Sequence, residues 1–254
     1  MGRASVVRAG TKARTDAQKQ KNYQIFAVRI IMAVKAGGPD PSINRNLAHI
    51  IENAKAANVP KEIITRNIEK ASNVNGDDYK EALYEFYGHG GVGLIVVALT
   101  DNEKRLVHEI NTIVRKNGLK PAMKNSVAFQ FDRKERIDIS SFTNEDKMLE
   151  YCLEAGVEDF LFYNDVDGTP THPSDEGDSV LYLDLHDLNK IRDTLQQNDL
   201  EIETSTAFLP GEYLKVSAEQ LEANLAAIAA FEGLDEVEKV HHNIDLLDSP
   251  PSEE

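Results

Sequence analysis

The sequence predicts a multidomain chain of α and α+β type. An N-terminal three-helix domain is followed by two ferredoxin-like α+β domains, the last inserted into the second. Three observations predict this. Apolar residues recur at helical spacing through residues 16–71. The pattern turns to strand-like runs after the Asn75-Gly76-Asp77-Asp78 hinge. From Arg136 the elements run strand, helix, strand, strand, helix, strand, which is the split βαβ order. The expected boundaries are 1–74 for a basic arm and helical domain, 79–133 plus 208–246 for the second domain, 134–207 for the inserted third domain, and 247–254 for a disordered tail.

Residues 1–14 carry Arg3, Arg8, Lys12 and Arg14 with almost nothing to bury, so a flexible basic arm is expected. A helix over about 16–36 presents Tyr23, Phe26, Ile30 and Val34 on one stripe. Gly37, Gly38, Pro39 and Pro41 stop it. Leu47, Ile50, Ile51, Ala54 and Ala57 form the stripe of a second helix, which ends at Asn58. Pro60 opens a third, with Ile64, Ile68 and Ala71 inward. Two faces this small need the first helix to cover them.

Beyond the hinge, 83–87 and 92–100 read as strands joined by Gly88-His89-Gly90-Gly91. A helix over 102–116 and a strand over 126–131 follow. That makes ββαβ without a complementary half. The missing half is supplied by a strand at 212–216, a helix over 217–231 and a strand over 237–244, which is why the intervening pieces are read as an insertion. Those pieces are 137–139, 146–155, 160–163, 180–185, 187–196 and 201–208. The acidic loop 165–178 among them is expected to be mobile.

No apolar run approaches the roughly 18–20 residues that span a bilayer, so no membrane partner is expected. The net charge of −15 is unevenly spread. Residues 1–73 hold 13 Lys/Arg against 5 Asp/Glu, and residues 74–254 hold 15 against 38, balances of +8 and −23. A polyanion is therefore expected to meet the N-terminal third alone. The candidate nucleic-acid contacts are Arg8, Lys12, Arg14, Lys19, Lys21, Arg45, Lys55, Lys61 and Arg66. The last four lie off the apolar stripes, where their charges face solvent. Such a layout suits phosphate contacts, which supply affinity with little sequence choice. Tyr23 is too isolated amid this charge to form a base-stacking platform.

Other motifs point away from catalysis. Gly88-His89-Gly90-Gly91-Val92-Gly93 has dinucleotide-type spacing but runs into a strand, where phosphate binding needs a helix N-terminus; a strand turn is expected. Asp165-Val166-Asp167-Gly168 lacks the calcium ligands of a loop in that register. His241 and His242 are adjacent on a strand and point to opposite faces, away from a common metal; solvent or interface histidines are expected. Cys152 is the only cysteine, so no intrachain disulfide forms, and it is expected as a core residue. No nucleophile elbow, metalloprotease helix, P-loop or kinase motif is present, and no cofactor or metal is expected. The first 22 residues lack the apolar core of a secretory signal. The expected location is cytoplasmic. The Arg-rich, acid-free start also suits an organelle transit peptide, which makes the mitochondrion or another organelle the alternative.

The segments AGGPDPSINRNL, AKAANVPK, YGHGGVGLIV, LTDN and FEGLDEVEKVHHN resemble the YebC/PmpR family over about 20–245. The resemblance implies three domains and no catalytic residues. It implies DNA binding and gene regulation in some members and ribosome-associated translation in others. The chain departs from the family in two places. Gly2-Arg3-Ala4-Ser5 stands where members open with Gly-His-Ser-Lys-Trp, and Lys120-Pro121-Ala122-Met123-Lys124-Asn125 replaces a glycine-rich turn.

The function expected is a non-enzymatic, DNA-binding transcriptional regulator. The first alternative is a ribosome- or RNA-associated translational activator. The second is a protein-interaction module without nucleic acid. In each case protein partners would meet the acidic α+β domains.

Overall fold

The structure, a computed structural model, describes residues 3–72, 78–142, 144–166, 169–171 and 178–246, the side chains of 3–18 and 164–171 excepted. Helix α1 (Arg3–Gly37) begins at Arg3 rather than near Asp16. Alanine, arginine, lysine and glutamine over 3–20 favour helix, with Gly10 the main breaker, so the backbone of the expected arm is helical. Gly38 ends α1 in the left-handed region (φ 88) and donates its N–H to the Val34 carbonyl at 2.7 Å.

Helix α2 (Arg45–Ala56) is capped by the buried Asn44. Its Oδ1 accepts from the Leu47 N–H at 3.0 Å, and its Nδ2 donates to the carbonyls of Ala33 and Gly38 at 2.8 and 2.9 Å. One side chain thus starts α2 and closes α1. Asn58 turns at φ 57, and α3 (Lys61–Ser72) follows Pro60. Ile30, Val34, Leu47, Ile50, Ala54, Ile64 and Ala71 are buried together. Tyr23, Phe26, Ile51, Ala57 and Ile68 pack around them, as the spacing predicts.

The chain continues through β1 (Lys80–Tyr87), β2 (Gly93–Thr100), α4 (Glu103–Lys116) and the short β3 (Lys120–Pro121). Next come β4 (Phe131–Ile139), α5 (Glu145–Ala155), β5 (Phe160–Val166), β6 (Thr169–Thr171), β7 (Asp178–Leu183), α6 (Leu188–Gln197) and β8 (Ile202–Pro210). Helix α7 (Ala218–Glu232) and β9 (Val237–His242) complete it. One sheet has the order β3-β1-β2-β9 and the other β6-β5-β7-β4-β8. The four long strands of the second sheet have the split βαβ order. Ile137, Ile139, Leu181 and Leu183 form its core with Met148 and Cys152 of α5 and Ile191 and Leu195 of α6. All strands of this sheet come from 131–210, whereas the first sheet draws strands from both sides of that segment.

Two expected strands differ. Residues 126–131 alternate but do not pair: a turn over 124–127 leads into a 3-10 turn at Ala128–Gln130, and the strand starts at Phe131. The cause is Glu85, whose buried carboxylate takes the N–H groups a sheet would have used. Residues 212–216 supply only the isolated parallel bridge Leu214–Ile244. Of the acidic loop, 167–168 and 172–177 lie outside the described residues, as does the tail 247–254.

The glycine-rich segment is a strand turn. His89–Gly91 form a 3-10 turn, with Gly90 and Gly91 at φ 76 and 83. Asn224, fully buried, accepts from the His89 N–H and donates to the His89 carbonyl, both at 2.9 Å. A Cβ on Gly88 would stand 2.3 Å from Asn224 Oδ1. The glycine spacing is set by this side chain, with no phosphate required.

By their contacts the described residues form two compact units. One is drawn from Met1–Ala82, Val97–Glu109 and Glu232–Glu238, the other from Leu83–Val96, Ile110–Phe231 and Lys239–Glu254. The first unit joins α1 to the segments at 97–109 and 232–238.

Candidate nucleic-acid interface

On α1, Arg8, Lys12 and Lys19 recur at intervals of four and seven, which places them on one helix face. Arg14 and Lys21, seven apart, share another. Lys19 is exposed; the side chains of Arg8, Lys12 and Arg14 lie outside the described residues. Arg45 opens α2, Lys55 lies in its last turn, Lys61 opens α3 and Arg66 sits at its middle. All four are exposed.

Lys21 behaves differently. It is half-buried, and its Nζ donates to the backbone carbonyl of Glu232. Burial lowers its pKa, with the charges of Glu232, Asp235 and Glu238 pulling the other way. This cation is engaged by its own chain. So is Arg29, whose Nε and Nη2 donate to the two carboxylate oxygens of Glu238 at 2.8 and 2.6 Å, with Glu81 at 3.9 Å. Lys35 stands 3.9 Å from Asp78. Part of the +8 in the N-terminal third is therefore neutralised within the first unit. What remains outward is Lys19 and the α2–α3 set. Sequence reasoning had no signal for this, because the acidic partner lies 209 positions away in the case of Arg29.

Elsewhere in this unit Arg105 bridges Asp101 and Glu236 at 2.8 and 2.9 Å, and Thr100 donates to the same Glu236. These contacts tie the start of α4 to the turn before β9.

Other groups weighed from sequence take structural places. Cys152 is buried on α5, and burial pushes its thiol up to about 12. His241 is buried, not solvent-facing. Its Nδ1 accepts from the Phe208 N–H at 3.4 Å, and its ring meets the Phe208 ring edge-on at 5.2 Å. Among the described residues no group of three or more His, Cys, Asp or Glu could hold a metal ion, and no helix is long and apolar enough to cross a membrane.

Comparison with known proteins now decides the family. The TACO1/YebC protein N-terminal domain matches residues 4–74, and the TACO1/YebC second and third domain matches 79–244. The chain belongs to the TACO1/YebC family. A probable transcriptional regulatory protein of Protochlamydia amoebophila is 37% identical over 236 residues, covering 92% of both chains. One from Acholeplasma laidlawii is 35% identical over 246 residues, covering 96% of this chain and 98% of its own. The crystal structure of a conserved hypothetical protein from Aquifex aeolicus superposes with a TM-score of 0.78 at 30% identity, covering 94% of this chain and 93% of that one. The two TACO1/YebC matches part at residues 75–78, where the Asn-Gly-Asp-Asp sequence predicts a hinge.

Proposed function

We propose that this chain is a non-enzymatic regulator of gene expression, acting in the cytoplasm, that binds nucleic acid through its N-terminal helical domain. The observation that carries the proposal is the exposure of Lys19, Arg45, Lys55, Lys61 and Arg66 around the α1–α3 core, in the one strongly basic third of an acidic chain. Exposed cations on a compact scaffold gain affinity for phosphates by releasing counterions. The relatives named probable transcriptional regulatory proteins favour the transcriptional form, for which we infer duplex DNA as the target. On this reading 1–74 is the binding domain, while 79–133 plus 208–246 and the inserted 134–207 offer acidic surfaces to protein partners.

The test is fluorescence anisotropy with duplex DNA and with ribosomal RNA fragments, comparing the parent chain with the Lys55→Glu/Lys61→Glu/Arg66→Glu variant between 50 and 200 mM salt. The variant should bind more weakly, with a log–log salt slope reduced by about 2.7 on duplex DNA if all three contact phosphates. Equal affinity in a folded variant removes α2 and α3 from the interface. Stronger binding to ribosomal RNA than to duplex DNA favours the translational alternative.

A further inference from the structure

We propose a second nucleic-acid contact on the opposite side of the hinge in sequence: the segment from Arg115 to Phe129, which takes an unpaired strand by stacking a base on Phe129. It shares with the preceding reading only the class of ligand and does not depend on the N-terminal domain.

The first observation is charge. Residues 110–131 hold Arg115, Lys116, Lys120 and Lys124 and not one acidic residue, inside a region, 74–254, whose balance with these four included is −23. All four cations are exposed.

The second is an exposed apolar pair in the same segment. Phe129 is 76% exposed and Met123 83%. Isolated exposed apolar residues are ordinary. Here two of the most exposed ones among the described residues stand in the one acid-free basic stretch of the second unit.

The third is rigidity. The Glu85 carboxylate accepts the backbone N–H groups of Asn125, Val127 and Ala128 at 2.5, 2.7 and 2.9 Å. Its own carbonyl accepts from Ala122 at 3.0 Å. Tyr87 Oη donates to the Ser126 carbonyl at 2.9 Å. Met123, Lys124 and Phe129 are thus displayed from a loop fixed at both ends around one buried carboxylate. A fixed loop loses little conformational freedom on binding.

Exposed cations in one short segment with an outward aromatic on a fixed loop are the elements of a single-strand site: the charges follow the backbone and the ring takes a base face. A duplex offers no free base face to Phe129, so unpaired nucleic acid is the ligand this arrangement selects. The acid-free stretch argues for a polyanion over an apolar peptide.

The chain contains no tryptophan, so Phe129→Trp creates a single reporter at the proposed contact. The probe is a mixed-sequence single-stranded RNA of about 12 nucleotides, within the usual range for such sites. Its addition should quench the Trp emission, and an equal length of duplex DNA should not. Phe129→Ala should weaken single-strand binding roughly five- to a hundredfold and leave duplex affinity unchanged. Lys120→Glu/Lys124→Glu should weaken it and reduce the salt slope. Unquenched emission together with parent-like affinity in both loop variants overturns the proposal. Running the Lys55→Glu/Lys61→Glu/Arg66→Glu variant beside them separates the two readings. If that variant alone loses binding, the N-terminal reading stands and this one falls. If the Phe129→Ala chain alone loses it, the reverse holds.

Discussion

Arg29 holds Glu238 with both arms of its guanidinium, Nε to one carboxylate oxygen and Nη2 to the other. The pair is only partly exposed, at 32% and 20% of the two side chains. It fastens α1 to the first residues of β9 within the first unit. A planar fork on a carboxylate is the strongest geometry available to such a pair. A double-mutant cycle with Arg29→Ala and Glu238→Ala should give a coupling energy of roughly 1–2 kcal/mol, the lower end reflecting solvent screening. Thermal melts in low salt measure it, and a coupling indistinguishable from zero would show the clasp to be passive.

Glu85 should order its loop only while ionised. Burial alone would raise its pKa, but three backbone N–H bonds and the nearby Lys124 together hold it below the usual carboxylate range. A carboxylate depressed on folding contributes stability above its unfolded pKa, near 4.3, and loses it as pH falls through the folded value. Glu85→Ala leaves three N–H groups without their acceptor and should cost about 1–3 kcal/mol. Hydrogen exchange should then speed up at Asn125, Val127 and Ala128 before it does so in the neighbouring strands. Unchanged protection at those three amides would contradict the assignment.

His241 should make the second unit acid-sensitive at unusually mild pH. Burial first, then the charges of Lys239, His242 and Arg136, lower its pKa to about 3. Its unfolded value is near 6.5. Between those limits the unfolded chain binds the extra proton, so stability falls as pH drops, by at most about 1.4 kcal/mol per pH unit from this group. His241→Gln keeps an acceptor for the Phe208 N–H and removes the titration. Urea midpoints from pH 7 to 4.5 should fall less steeply in the variant, and parallel curves would assign the acid sensitivity elsewhere.

Gly88→Ala tests whether the glycine-rich turn is shaped by Asn224. The new Cβ would meet Asn224 Oδ1 at 2.3 Å, and that oxygen cannot withdraw without abandoning the His89 N–H. The expected cost is about 2–4 kcal/mol, read as a lowered melting temperature. Gly91→Ala tests a different requirement. Open space surrounds Gly91, but its φ of 83 should still impose a smaller cost.

The helical stripes were legible because Ile30, Val34, Leu47, Ile50 and Ile64 obey one period and bury on one core. That the sheet begun by 80–100 would need a strand from beyond residue 210 was legible by elimination, and β9 is that strand, although 212–216 adds only an isolated bridge. Residues 126–131 misled because alternation is only half of a strand. The other half is a hydrogen-bonding partner, and Glu85, more than forty positions upstream, had already taken those N–H groups. Charge counts located the basic third correctly but could not tell Lys19, which faces solvent, from Lys21, which is committed to the Glu232 carbonyl. That distinction is a tertiary fact, fixed by a segment about two hundred residues further along. The acid-free run before Phe131 was readable from the start. Only the exposure of Phe129 shows that it has an aromatic to work with.

Strands β4 and β8 run side by side for their whole length, with Phe131 opposite Pro210, and the Gln130 carbonyl accepts from Gly211 at 2.9 Å. The chain therefore leaves for its five-stranded sheet and comes home through adjoining peptide groups. A short turn spliced between those two points would keep both ends where they are. A chain in which that turn replaces 131–210 should therefore keep the strand order β3-β1-β2-β9.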